Sequence, residues 1–179
     1  MRFLHVCTLT AWAVAAQASA TCPTDPSAPA DTVLTLQFAG EAPIRLGSRE
    51  LAALPERRST QRRSVVAAGA SAVPPVDQSV AYAGVLLRDV IASSPAHEKQ
   101  GRAQRWLVFE AVATDGYRAV FSWGELFNSD AAEQMLVIRA QDGQPLGAAE
   151  GPLALRALGD IRPGPRHVRN LCGIVARML

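Results

Sequence analysis

Near the end of the chain, Arg166, His167 and Arg169 fall within four residues of one another in the stretch GPRHVRNLCGI, Gly164 to Ile174. Two guanidinium forks flanking an imidazole are donors of the kind that hold phosphate or carboxylate oxygens. Alternation along a strand places Arg166 with Val168 and His167 with Arg169. A turn at Arg162-Pro163-Gly164-Pro165 instead gathers all three around an anion. Spacing leaves both arrangements open, an anion site and a solvated strand entrance. The second basic tract, Arg57, Arg58, Arg62 and Arg63 in ERRSTQRRSVV, reads differently. Extended, it sends Arg58 and Arg62 to one face and Arg57 and Arg63 to the other, which divides the cluster. Arginines in that pattern guard a strand edge against pairing with other chains.

Other chemistry is sparse. Beyond the first twenty residues the histidines are His97 and His167, too far apart for a metal-ligand spacing. The sequence contains no CxxC, no HExxH, no Gly-rich phosphate loop and no GxSxG elbow. Nothing in it marks the triad of an autonomous hydrolase. Of 18 basic and 16 acidic residues only Arg2 lies in the first twenty, so no net field draws the protein to nucleic acid or to a membrane surface.

The elements that must position these groups follow a leader. Residues 1–20, MRFLHVCTLTAWAVAAQASA, combine a basic start at Arg2, an apolar stretch from about Phe3 to Ala16 and a small-residue cleavage site at Ala18-Ser19-Ala20. They predict a secretory signal peptide, too short for a membrane span, and hence a periplasmic protein with no membrane insertion after cleavage. Thr21 ahead of Cys22 argues against a lipoprotein anchor. Residues 21–32 read as a disordered leader rich in Pro, Ser and Ala, and 33–179 as one domain with its own core. Cys7 leaves with the signal, and Cys22 and Cys172 remain in a compartment where disulfides persist. A Cys22–Cys172 bridge and a buried free thiol at Cys172 are both open.

Alternating patterns predict strands at Val33–Phe38, Ala42–Arg45, ERRSTQRRSVV, Ser79–Tyr82, WLVFEAVA, RAVFS, MLVIRA, LALRAL and the closing HVRNLCGIVARML. A short helix is expected at SRELAAL behind Ser48, and another at VLLRDVIASS with Leu86, Leu87, Val90 and Ile91 on one face. A third starts at the Ser122-x-x-Glu125 capping box. Asp142-Gly143 marks a turn, His97–Gln104 a charged surface loop, and Ala67–Gln78 a long loop of small residues. Many short strands with a few brief helices give the α+β class, with mixed, mostly antiparallel sheets.

The order LTLQFAG, IRLGSRELAALPE, YAGVLLRDVI, WLVFEAVATDGYRAVFSWGEL, MLVIRAQDGQPLGAAEGPLALRAL, RHVRNLCGI resembles the molybdopterin-binding domain of the sulfite oxidase family, from roughly Val33 to Ala176. It is most similar to the small exported stand-alone versions. The resemblance implies a compact α+β domain, molybdopterin as the family's cofactor, and a pterin-phosphate role for Arg166, His167 and Arg169. One departure stands out. The family ligates molybdenum through a cysteine placed between positions matching Pro55 and Gly84, and this span holds none. A serine hydroxyl is a far poorer ligand, since its proton is much harder to remove.

The combined expectation is an exported module without a molybdenum redox centre and with no cofactor. It would bind a small anionic ligand, or a periplasmic or membrane partner protein, as an accessory factor or sensor. Arg166 and Arg169 would contact the anion, His167 would add a hydrogen bond, and the loop Ala67–Gln78 would cover the pocket. The alternative is a molybdopterin-dependent oxidoreductase whose metal is coordinated by something other than cysteine.

Overall fold

The computed structural model describes residue 22 and residues 31–65, 76–162 and 164–179. The expected signal peptide, most of the expected leader, Val66 and residues 67–75 of the expected covering loop lie outside the described residues. Two sheets carry the chain. The first has the order β2–β1–β10–β5–β6, built from β1 (Thr32–Phe38), β2 (Ile44–Gly47), β5 (Leu107–Ala113), β6 (Arg118–Ser122) and β10 (Leu171–Met178). Only β1 and β10 run parallel in it, with Leu36 opposite Ile174. The second has the order β3–β4–β7, from β3 (Glu56–Val65), β4 (Val76–Leu86) and β7 (Met135–Gln141). Beyond β7 the short strands β8 (Gln144–Pro145) and β9 (Ala154–Ala157) share its outer edge. The α+β class and its mostly antiparallel sheets are as the sequence predicts.

Alternation divides the core. Leu34, Leu36 and Phe38 of β1 join Phe109, Ile174, Val85, Val137 and Leu155 in one cluster drawn from both sheets. The intervening residues Tyr82, Leu86, Leu136, Ile138 and Ala154 form a second cluster on the other face of the second sheet. Between them Gly84 lets β4 and β7 approach at a bulge, because a Cβ there would lie 2.1 Å from the Val137 carbonyl oxygen. Asp142 and Gly143 both take left-handed φ, 51° and 77°, as a two-residue hairpin of this kind requires.

Helices α1 (Ser48–Ala52), α2 (Leu87–Ala92), α3 (Pro95–Lys99) and α4 (Trp123–Phe127) are each about one turn long. Ser48 opens α1 but does not cap it; the cap position is Gly47, whose N–H donates to Glu50 Oε2 at 2.9 Å. In α2, Leu87, Val90 and Ile91 are buried as the spacing predicts, whereas Leu86 ends β4 and faces the second cluster. Ser79–Tyr82 is part of the longer β4, which also takes in Val76 to Gln78 from the expected loop.

The His97–Gln104 segment is a correction. It forms α3, capped by Ser94 Oγ with Pro95 in its first turn, and then a 3₁₀ turn over Gly101–Trp106. His97 is 8 % exposed and stacks on Phe127 with ring centroids 4.8 Å apart. Charged neighbours in the sequence hid a buried ring. Among the described residues no helix is long and apolar enough to cross a membrane.

A disulfide joins Cys22 to Cys172 on the central strand β10, with Cα atoms 5.6 Å apart, and closes a loop 150 residues long. Chain-entropy arguments give such a loop up to about 5 kcal/mol. The Cys22→Ala/Cys172→Ala variant should lose about 3–5 kcal/mol of unfolding free energy relative to the oxidised protein, measured by denaturant titration.

Burial pushes the His97 imidazole below its ordinary value of 6.5, partly opposed by Glu98. The unfolded chain therefore binds this proton more tightly than the fold does. Stability is full above about pH 6.5 and declines as pH falls through the lowered value. Urea titrations between about pH 7 and about pH 5 should show that decline in the native protein and a flatter one in His97→Phe.

Candidate functional site

The closing segment is a crossing between sheets. Val168 forms an isolated bridge with Leu155 of β9, its N–H donating to the Leu155 carbonyl at 3.0 Å and its carbonyl accepting at 2.7 Å. Two residues later Asn170 takes left-handed φ of 48°. Its N–H donates to the Glu150 carbonyl at 2.7 Å, and its carbonyl accepts from Thr114 N–H at 3.1 Å. Leu171 N–H then donates to Leu153 O at 2.9 Å and starts β10 in the middle of the first sheet. The expected unbroken closing strand is thus a bridge, a turn and a strand. Gly151, at φ 79°, permits the turn, since a Cβ there would sit 2.4 Å from Asn170 Oδ1 and 2.9 Å from its Cα.

This geometry separates the three site candidates. Arg166 lies in the turn before the Val168 bridge, and its guanidinium is 5.2 Å from the centroid of the buried Phe121 ring. Its Nε donates to Asp160 Oδ2 at 2.9 Å and its Nη2 to Asp160 Oδ1, a fork-to-fork pair. Its Nη1 donates to Glu125 Oε1 at 2.7 Å. The Asp160 hydrogen bonds push the Arg166 guanidinium above its usual value; burial opposes this and Glu125 adds to it. Burial alone would raise the Glu125 carboxyl, but the Ser122 N–H and hydroxyl and Arg166 outweigh it and hold the acid below its ordinary range. The capping box that starts α4 therefore also anchors the closing segment.

His167 and Arg169 turn the other way, onto a cavity of about 340 Å³. Tyr117 walls it, its hydroxyl donating to the Pro165 carbonyl at 2.7 Å. Asp115 lines it too, its carboxylate accepting from Tyr117 N–H at 2.9 Å. Arg156 of β9 and Glu150 complete the charged lining. Arg156 is only 3 % exposed, with Nη2 on Glu150 Oε2, Nη1 on its neighbour's carbonyl at 3.0 Å, and Nε without a partner. Arg169 reaches the other oxygen, Glu150 Oε1, at 3.3 Å, and its side chain is 67 % exposed. Two arginines thus face two carboxylates, and Glu150 is shared. The one signal for Glu150 and Arg156 in the sequence is a charge at the centre of LALRAL, since a buried arginine requires a partner.

The first half of the basic tract, Arg57 and Arg58, engages two separate partners. It lies on β3, an edge strand. Arg57 pairs with Glu133, which also holds Arg88, and Arg58 pairs with Glu56 at 2.9 Å, which also holds Arg139.

No family model and no curated protein matches the sequence. Among solved structures the chain is similar to the sulfane dehydrogenase SoxCD from Paracoccus pantotrophus, with a TM-score of 0.57 and 15 % identity. The two share a fold. The match covers 82 % of this chain and 38 % of that one, so this chain spans well under half the length of the SoxCD chain.

The residues present do not fit a pterin-held molybdenum of the kind the sequence resemblance implies. Cys172, the one cysteine after Cys22, is bonded to it, which removes both thiolates. Among the described residues no three His, Cys, Asp or Glu side chains group as metal ligands. Arg166, expected at a phosphate, already faces two carboxylates.

Stability should separate the two arginines. Arg166→Met leaves Asp160 and Glu125 facing each other without a cation in a half-buried site, and should cost about 2 kcal/mol. Arg169→Ala should cost no more than about 0.5 kcal/mol. Equal losses in thermal denaturation would contradict this division.

Proposed function

We propose that the chain is an exported accessory or sensor module. On this reading it has the sulfite-oxidase-type fold, works without a molybdenum redox centre, and takes a small anion in the cavity between the Asp115–Tyr117 turn and the closing segment. Arg169 is the contact, His167 lies beside it, and Arg156 supplies positive charge from below. Arg166 serves the scaffold.

The observation that carries this reading is the state of Arg169. Its guanidinium is the exposed cation at the cavity, and its carboxylate partner is already engaged by a buried arginine. A carboxylate or phosphate oxygen, free or borne by a partner protein, matches that fork. The Cys22–Cys172 bridge supports export, because such bonds persist in oxidising compartments. Spending both cysteines on that bond supports a role without thiolate-bound metal.

Isothermal titration with inorganic phosphate at low ionic strength tests the reading. Saturable binding on the order of millimolar is expected, as suits one exposed charge pair. Arg169→Ala should weaken it at least about tenfold and Arg166→Met should not. Binding unaffected by Arg169→Ala, or none to the native protein, would overturn it.

A further inference from the structure

Glu150 occupies the place in this cavity where an anion belongs. Its side chain is 22 % exposed, and its two oxygens are divided, one to buried Arg156 and the other to exposed Arg169. Its backbone is held as firmly. The Glu150 carbonyl accepts from Asn170 N–H at 2.7 Å and its N–H donates to Gly147 O at 2.9 Å. The carboxylate is therefore fixed to the same turn that positions Arg169. Asp115 does not share this role, since its carboxylate caps its own turn at Tyr117. We propose that Glu150 is a built-in carboxylate ligand of the cavity, which a small monocarboxylate such as formate or acetate can replace when its side chain is removed. An external anion then competes with Glu150 for Arg169. The competition makes Glu150 the residue that sets how open the cavity is. This rests on the cavity being the anion site proposed above.

Two physical facts give the idea consequences. Arg156 is too buried to be left without a counter-ion, so deleting the Glu150 carboxylate strands a charge in a poorly solvated place. The deletion also leaves a space of the shape and charge that a small carboxylate fills.

The test uses the full exported chain with its disulfide intact, in Glu150→Ala and Glu150→Gln forms. Thermal melts are followed while formate or acetate replaces chloride at constant ionic strength. Glu150→Ala should melt about 10 °C lower in chloride. Formate should restore most of that loss saturably and acetate should act likewise, while the native protein barely responds. Glu150→Gln should stay low in every salt, because its amide fills the space without the charge. Phosphate affinity of Glu150→Ala should rise at least about tenfold over the native protein as the competitor is removed.

An unchanged melting temperature, or equal salt effects on both variants, would overturn the proposal. Should Glu150→Ala fail to fold in chloride, refolding from urea in formate supplies the readout: recovery supports the proposal and failure in both salts rejects it. Rescue of Glu150→Ala with no phosphate binding to the native protein would leave this inference standing and remove the anion-binding function. Native binding lost in Arg169→Ala, without rescue, would do the reverse.

Discussion

The fold depends on one crossing. Between Val168 and Leu171 the chain leaves its bridge with β9 and enters the centre of the other sheet. Three of the residues that make the crossing have paired backbone groups: Val168 with Leu155, Asn170 with Glu150 and Thr114, Leu171 with Leu153. Unpaired amides at buried Val168 and Leu171 would be costly, so the residues around them are tightly prescribed. Gly151 must lack a side chain, Asn170 must tolerate left-handed φ, and Val168 must be apolar.

The groups with chemical potential sit on or beside this crossing, and most are spent on it. Arg166 holds Asp160 and the α4 cap together. Cys172, one residue into β10, ties Cys22 to the central strand. Glu150 gives its carbonyl to Asn170 and its carboxylate to two arginines. What stays available is the outer edge of the arrangement, the Arg169 guanidinium.

Much of this was legible from residue order. The 3.6- and 2-residue periods located most of the strands and the buried side of α2, and the Ser122–Glu125 box located α4, because those signals are local; the ends of β2, β4 and β10 shifted and β8 carried no such pattern. The split of Arg166 from His167 and Arg169 was one of two arrangements that the spacing left open. What was not legible was set by contacts distant in sequence. Arg166 finds Glu125 across 41 residues, and no local pattern announces that its charge will be matched. His97 looked like surface because its neighbours are Glu98 and Lys99, yet its ring packs on Phe127 thirty residues away. The Arg156–Glu150 pair was hidden in a strand that otherwise reads as core.

The absence of cysteine between Pro55 and Gly84 and the Cys22–Cys172 bond lead to the same physical statement: from Cys22 onward the chain keeps no free thiolate with which to hold a transition metal. The most direct measurement is a combined thiol and metal count on protein purified from its native host without reductant. The account, which includes the proposed removal of residues 1–20 and Cys7 with them, predicts no reactive thiol in the denatured protein and molybdenum far below one atom per chain. One molybdenum per chain together with one free thiol would contradict it.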